Sequence, residues 1–140
     1  MKPVYYENGA LKMLDQTLLP TEEVTHSYTD YREIAAAIVD MIVRGAPAIG
    51  VTAGYGVYFG ALEFEKLPKE TFLKEMETVC HVLRATRPTA VNLFWAVDRM
   101  EGVIKNNSEK TVAEITALLK TEADAICRED IKMCRDMGAY

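Results

Sequence analysis

Apolar and polar positions alternate with two periods along the 140-residue chain. From Val4 to Tyr28 the pattern runs in twos. Val4-Tyr5-Tyr6 and Ala10 to Asp15 flank Asn8-Gly9, a dipeptide suited to a two-residue hairpin turn because both central positions need φ > 0. Glu23 to Tyr28 alternates and is rich in β-formers, which predicts a third strand. From Asp30 onward the period is helical. Ile34, Ala37, Ile38, Met41 and Ile42 share one face, behind a cap at Thr29 or Asp30 with Glu33 in capping-box position, and this helix is expected to stop at Val43-Arg44-Gly45. Pro47, favoured as a first helical residue, opens a second helix to about Leu62. A third runs from Pro68 or Lys69 to about Thr86, with Phe72, Met76, Val79, Cys80 and Leu83 inward. Pro88 biases Arg87 away from α conformation, and Thr89 caps a fourth helix to about Ile104 that carries Val91, Leu93, Phe94, Trp95 and Val97. Ser108 caps the last helix, Glu109 to about Met137, marked by Val112, Ile115, Leu118, Leu119, Ala123, Ile126, Ile131 and Met133, with a bend expected near Arg128-Glu129-Asp130. The class is α+β: a small N-terminal antiparallel sheet of about three strands (4–28), then a bundle of about five helices (30–137).

The second helix decides how the bundle is built. Ala46 to Leu62 is a run of 17 uncharged residues, at the lower limit for spanning a bilayer. Gly50, Gly54, Gly56 and Gly60 interrupt it, each costing roughly 1 kcal/mol relative to Ala. Gly50/Gly54 and Thr52/Gly56/Gly60 repeat every four residues, so each set lies along one flank where a neighbouring backbone can approach. The pattern predicts a central buried helix and no membrane partner.

Composition narrows the classes further. The chain is 49% hydrophobic and 26% charged, with 16 basic and 21 acidic residues and a net charge of −5. That balance suits one globular domain and argues against nucleic-acid binding, while leaving room for a local basic pocket. Three cysteines and a start without a signal-peptide pattern predict reduced thiols and a cytoplasmic setting. Cys80-His81 are adjacent helix positions that point about 100° apart, and Cys127 and Cys134 lack enough partners for zinc, so no metal is expected. Gly45-x4-Gly50 lacks the lysine of a P-loop, and Gly54 to Gly60 is one residue too long for a dinucleotide fingerprint, so no cofactor is expected. His26 reads as a strand or loop histidine without ligand partners.

Two places carry candidate chemistry. The N–H groups of Gly45, Ala46, Ala48 and Ile49, at the positive end of a helix and beside Arg44, would have no partner inside that helix and would suit an oxyanion or phosphate. The alternative is a tight helix–helix turn with a surface arginine. Arg87, held in a proline-fixed turn before another helix, offers a second planar fork; the alternative is a surface salt bridge.

Arg44-Gly45-Ala46-Pro47-Ala48-Ile49-Gly50-Val51-Thr52-Ala53 with Tyr55-Gly56-Val57, and Arg87-Pro88-Thr89-Ala90-Val91-Asn92-Leu93-Phe94-Trp95-Ala96-Val97-Asp98-Arg99-Met100, resemble the signatures of the methylthioribose-1-phosphate isomerases. That family also holds ribose-1,5-bisphosphate isomerases and regulatory subunits of a translation initiation exchange factor. The resemblance runs from about Val4 to the end of the chain. It implies that residues 1–140 form the N-terminal domain of a two-domain enzyme, with a Rossmann-like catalytic domain absent from this chain. It further implies a homodimeric full-length protein that converts 5-methylthioribose 1-phosphate to 5-methylthioribulose 1-phosphate in methionine salvage, with no cofactor. Substrate contacts carried over from the motifs fall on Arg44, Gly45, Ala46 and Arg87. The family's catalytic cysteine, in a T-x-C-N-T-G-like segment, and its aspartate have no counterpart here, so no catalytic residue is assigned and the chain alone is expected to be inactive. The alternatives are a non-catalytic regulatory or sugar-phosphate-binding member, a ribose-1,5-bisphosphate isomerase fragment, or a helical dimerisation module.

Overall fold

The computed structural model describes residues 4–15, 24–40, 46–87 and 90–138, with 46–47 and 130–138 as backbone only. Strands β1 (Val4–Glu7), β2 (Ala10–Leu14) and β3 (Thr25–Tyr28) form an antiparallel sheet in the order β1-β2-β3. Asn8 and Gly9 take φ of 53° and 79°, the left-handed pair that closes the β1–β2 hairpin with Glu7 opposite Ala10. Leu11 and Met13 on β2 are buried, and β2 pairs with β3 from Leu11↔Tyr28 to Leu14↔Thr25. His26 hydrogen-bonds the buried Asp15 carboxylate at 2.9 Å, a structural role that fits the sequence reading.

Five helices follow: α1 (Tyr31–Val39), α2 (Ala46–Phe64), α3 (Lys69–Arg84), α4 (Val91–Asn106) and α5 (Val112–Gly138). The expected class, a three-stranded sheet and then five helices, is the one observed. Asp30 caps α1 by accepting from the Arg32 N–H. The helix is shorter than expected, with its C-cap at Asp40; Met41 and Ile42 lie outside the described residues.

The cap of α5 corrects the sequence reading. Thr111 and Glu114, not Ser108, form the reciprocal capping box: Glu114 N–H donates to Thr111 Oγ1 and Thr111 N–H to Glu114 Oε1, both at 3.1 Å. Donation from the Thr111 backbone N–H, and then from the Thr111 side chain, holds the Glu114 carboxyl below its ordinary range. The pairing needs a carboxylate three residues after the hydroxyl, and Thr111 has it where Ser108 has Thr111 instead. Helix α5 is assigned without interruption through Arg128 to Asp130.

Helix α2 is the axis of the bundle, as its glycines require. A Cβ at Gly50 would stand 3.4 Å from the Asn92 carbonyl of α4, and one at Gly54 3.2 Å from Ile126 of α5. At Gly56 it would meet Leu83 of α3 at 3.1 Å, and at Gly60 Val79 at 2.7 Å. Each glycine thus admits a different neighbour or a different turn of the same one. Thr52, fully buried beside them, returns its hydroxyl to the Ala48 carbonyl at 2.7 Å. Tyr6 of the hairpin stacks on Tyr55 with centroids 5.5 Å apart, and Tyr55 donates to Asp124 at 2.5 Å, which ties the sheet to α2 and α5. No helix among the described residues is long and apolar enough to cross a membrane.

Gly102 is the contrasting glycine. It lies within α4 with nothing inside 4 Å of the Cβ position. Gly102→Ala therefore gains helix propensity without a clash and should stabilise the chain by about 1 kcal/mol, read as a higher midpoint in urea.

Candidate functional site

The site is built where two helices begin. Gly50, one turn into α2, packs on Asn92 and Ala96 in the first turns of α4. The starts of α2 and α4 are therefore neighbours, and their N–H ends share one end of the bundle. Helix α3 runs back against α2, with Val79 at Gly60 and Leu83 at Gly56, and so delivers residues 85–87 to that same end. Of the sequence-predicted residues, Arg44 and Gly45 lie outside the described residues, and Ala46 is described as the first backbone position of α2. Arg87 stands in the turn before α4.

That turn is defined by backbone chemistry. Ala85 N–H donates to His81 at 3.0 Å, and the hydroxyl of Thr86 closes on the Leu83 carbonyl at 2.6 Å, which ends α3. Ala90 N–H then donates to the Arg87 carbonyl at 3.0 Å. Ala90 is the N-cap of α4, in place of the expected Thr89, and supplies no side-chain hydrogen bond. Thr89 itself lies outside the described residues. An alanine cap offers the Val91 and Asn92 N–H groups no side-chain acceptor of its own, while the Leu93 N–H already donates to the Ala90 carbonyl at 3.1 Å.

Arg87 differs from the chain's other well-placed arginines. Arg32 pairs with Asp30 and Glu63, Arg84 with Asp98 and Glu101 at 2.6 and 2.8 Å, and Arg99 with Glu122 and Glu129. Each of these guanidiniums is met by two carboxylates, which hold Arg84 and Arg99 firmly protonated. Arg87 Nη1 is buried and has no hydrogen-bond partner among the described residues. A buried unsatisfied N–H disfavours the free state by about 1–3 kcal/mol, and more when it is charged. The surface-salt-bridge alternative thus finds no carboxylate at Arg87 among the described residues. An anion bound at this end would supply the acceptor.

The nucleophile candidates fall away. Cys80 is fully buried, and burial pushes its thiol up to about 12, so it holds its proton at neutral pH. His81 beside it is exposed. Cys127 is half-buried next to Tyr55, and the Cys134 side chain lies outside the described residues. No group of three or more His, Cys, Asp or Glu able to hold a metal occurs among the described residues.

Two features escaped the sequence reading. Asn92 was quoted within its motif without a role, yet its carbonyl is what Gly50 must clear, so the spacing of the two helix starts depends on that contact. Val91 and Trp95, expected on the apolar face of α4, are 76% and 50% exposed. The buried face is Leu93, Ala96, Val97, Met100 and Ile104, a helical stripe that leaves Val91 and Trp95 on the other flank.

The family model described as the initiation factor 2 subunit family matches residues 42–140. Among curated relatives, the methylthioribose-1-phosphate isomerase of Acetivibrio thermocellus is 50% identical over all of this chain and 41% of its own length. That of Geobacter sulfurreducens is 45% identical over 99% of this chain and 40% of its own. The structure of 5-methylthioribose 1-phosphate isomerase from Pyrococcus horikoshii OT3 superposes with a TM-score of 0.88 at 41% identity, covering 91% of this chain and 36% of that one. The structure of translation initiation factor eIF-2B, subunit delta, from A. fulgidus superposes with a TM-score of 0.90 at 32% identity, covering 100% and 40%. The chain spans about two fifths of the length of the curated relatives it matches, at their N-terminal end. With a family match across both helix starts and the turn between them, this chain belongs to the initiation factor 2 subunit family.

Proposed function

We propose that this chain is the N-terminal, phosphate-holding domain of a methylthioribose-1-phosphate isomerase. The observation that carries the reading is the buried Nη1 of Arg87, without a hydrogen-bond partner among the described residues, at the shared end of α2 and α4. Arg87 and Arg44 hold the phosphate through charge-assisted hydrogen bonds, and the N–H groups of Gly45 and Ala46 at the α2 start donate to its remaining oxygens. Phosphate on the anomeric oxygen of 5-methylthioribose 1-phosphate blocks simple ring opening, so the enzyme must assist C–O cleavage before hydrogen moves from C2 to C1. Binding energy taken from the phosphate orients the sugar for that step. The acid–base groups come from a C-terminal catalytic domain, and the 140-residue chain by itself turns over no substrate. The working protein is a cytoplasmic homodimer that needs no cofactor.

A second reading is favoured by the resemblance to the initiation-factor structure: a non-catalytic member that keeps the phosphate grip for sensing. Calorimetric titration of the chain with 5-methylthioribose 1-phosphate tests the common core of both. Weak binding, lost in Arg44→Ala and in Arg87→Ala, is the expected result. Binding that survives both substitutions would overturn the assignment of the site. A T-x-C-N-T-G segment downstream in the reading frame separates the enzyme from the sensor.

A further inference from the structure

Val91 and Trp95 lie one turn apart on α4 and are both exposed, directly after Arg87. Among the described residues the other exposed large apolar side chains, Val39 and Leu67, stand singly at a helix end and in a loop. Trp95 is also held in place. The Arg99 guanidinium sits 5.3 Å from the centre of its ring, and Arg99 is itself clamped by Glu122 and Glu129 of α5. The indole is thus a pre-set aromatic anchor, the kind of residue that dominates interfaces because little freedom is lost on burial. Both carboxylates answer the charge of Arg99, so the stripe offers no free cation to a phosphate or a nucleic acid. What it fits is an apolar surface.

Helix α5 shows where such a surface would come from. The short link Asn107–Thr111 returns α5 antiparallel to α4, and Arg99 joins the two. From Glu129 to Gly138 α5 rises about 13 Å, and from Arg99 back to Val91 α4 spans about 12 Å, so α5 brings the chain level with the stripe. The isomerase relatives are about two and a half times longer and match this chain with their N-terminal two fifths. We propose that the Val91–Trp95 face, with Trp95 as its anchor, seats the polypeptide that follows α5 in these longer proteins. The proposal rests on the two-domain reading above.

The test uses Trp95 as its own reporter, since it is the chain's one tryptophan. Residues 1–140 replace the N-terminal 41% of the Acetivibrio thermocellus isomerase, and both this chimera and the 140-residue chain are labelled with 5-fluorotryptophan. Broadening of the Trp95 fluorine signal (identified by its loss in Trp95→Phe) by a soluble gadolinium chelate should be several-fold weaker in the chimera. Equal broadening in both proteins would overturn the proposal. So would protection in the short chain that grows with concentration, because a second copy would then be the occupant. As a second measurement, Trp95→Glu should lower the Tm of the chimera by about 5 °C or more and that of the short chain by less than about 2 °C. Equal shifts would again overturn it. Protection of Trp95 together with ligand binding that survives Arg87→Ala would uphold the docking face and overturn the phosphate site instead.

Discussion

Arg87→Met should sharply weaken binding of 5-methylthioribose 1-phosphate while leaving the 140-residue chain at least as stable as its parent. The two effects have one cause. In the free chain, Nη1 is buried without an acceptor among the described residues, so the guanidinium is a burden until an anion arrives. Methionine keeps most of the apolar stem and discards the unsatisfied N–H, so the expected change in Tm runs from zero to about 5 °C upward. The lost charge-assisted bonds to phosphate weaken affinity by about 10- to 100-fold. In the chimera with the longer isomerase, kcat/KM should fall by the same order. Arg87→Lys separates charge from geometry: an ammonium keeps the attraction but not the planar fork, and should recover only part of the binding. Calorimetry and thermal unfolding on the same samples decide the matter. Destabilisation with unchanged affinity would make Arg87 a structural residue and remove the main support for the proposed function.

Gly60→Ala should destabilise the chain by about 1–2 kcal/mol, although alanine is the better helix former by roughly 1 kcal/mol. The new Cβ would stand 2.7 and 2.8 Å from the two methyls of Val79 and 3.2 Å from its Cβ. Val79 is fully buried and β-branched, so its side chain has one helical rotamer and nowhere to turn. The helices must separate instead. Gly60→Leu, which adds three more carbons at the same point, should lose about 3 kcal/mol or more and lower the Tm by about 10 °C. Val79→Ala placed in the Gly60→Ala background should restore much of the loss, because the two changes share one contact. Denaturant midpoints of the two single variants and the double variant give the coupling directly. Simple additivity would mean that Gly60 is not set by the close approach of α3.

Much of this architecture was legible because the signals were local. Asn8-Gly9 specifies a hairpin through the φ values its two residues tolerate, and the structure has them at 53° and 79°. The inward face of α3 was read without error, since Phe72, Met76, Val79, Cys80 and Leu83 fall on one stripe of a helix with a polar opposite side. The four-residue glycine spacing of α2 required a buried helix among close neighbours, and each glycine meets one. Arg87 was legible as a candidate for a reason just as local: the proline that follows it restricts the backbone that carries it.

What the sequence by itself determined is the order and type of the elements, the buried axis, and which residue types could hold an anion. The tertiary structure decided the rest, because the deciding contacts lie far apart in the chain. Thr111 displaced Ser108 as the cap once Glu114 closed the box. Arg84 and Arg87, three positions apart and equal as sequence, became different objects. Asp98 and Glu101 occupy the first on the far side of a turn, and no carboxylate among the described residues reaches the second. Val91 and Trp95 satisfy the hydrophobic pattern of α4 but face outward, since one face of that helix already fills the space beside α2. A hydrophobic side chain reports only that it prefers to leave water; which surface it leaves water for is settled by whatever is packed across from it.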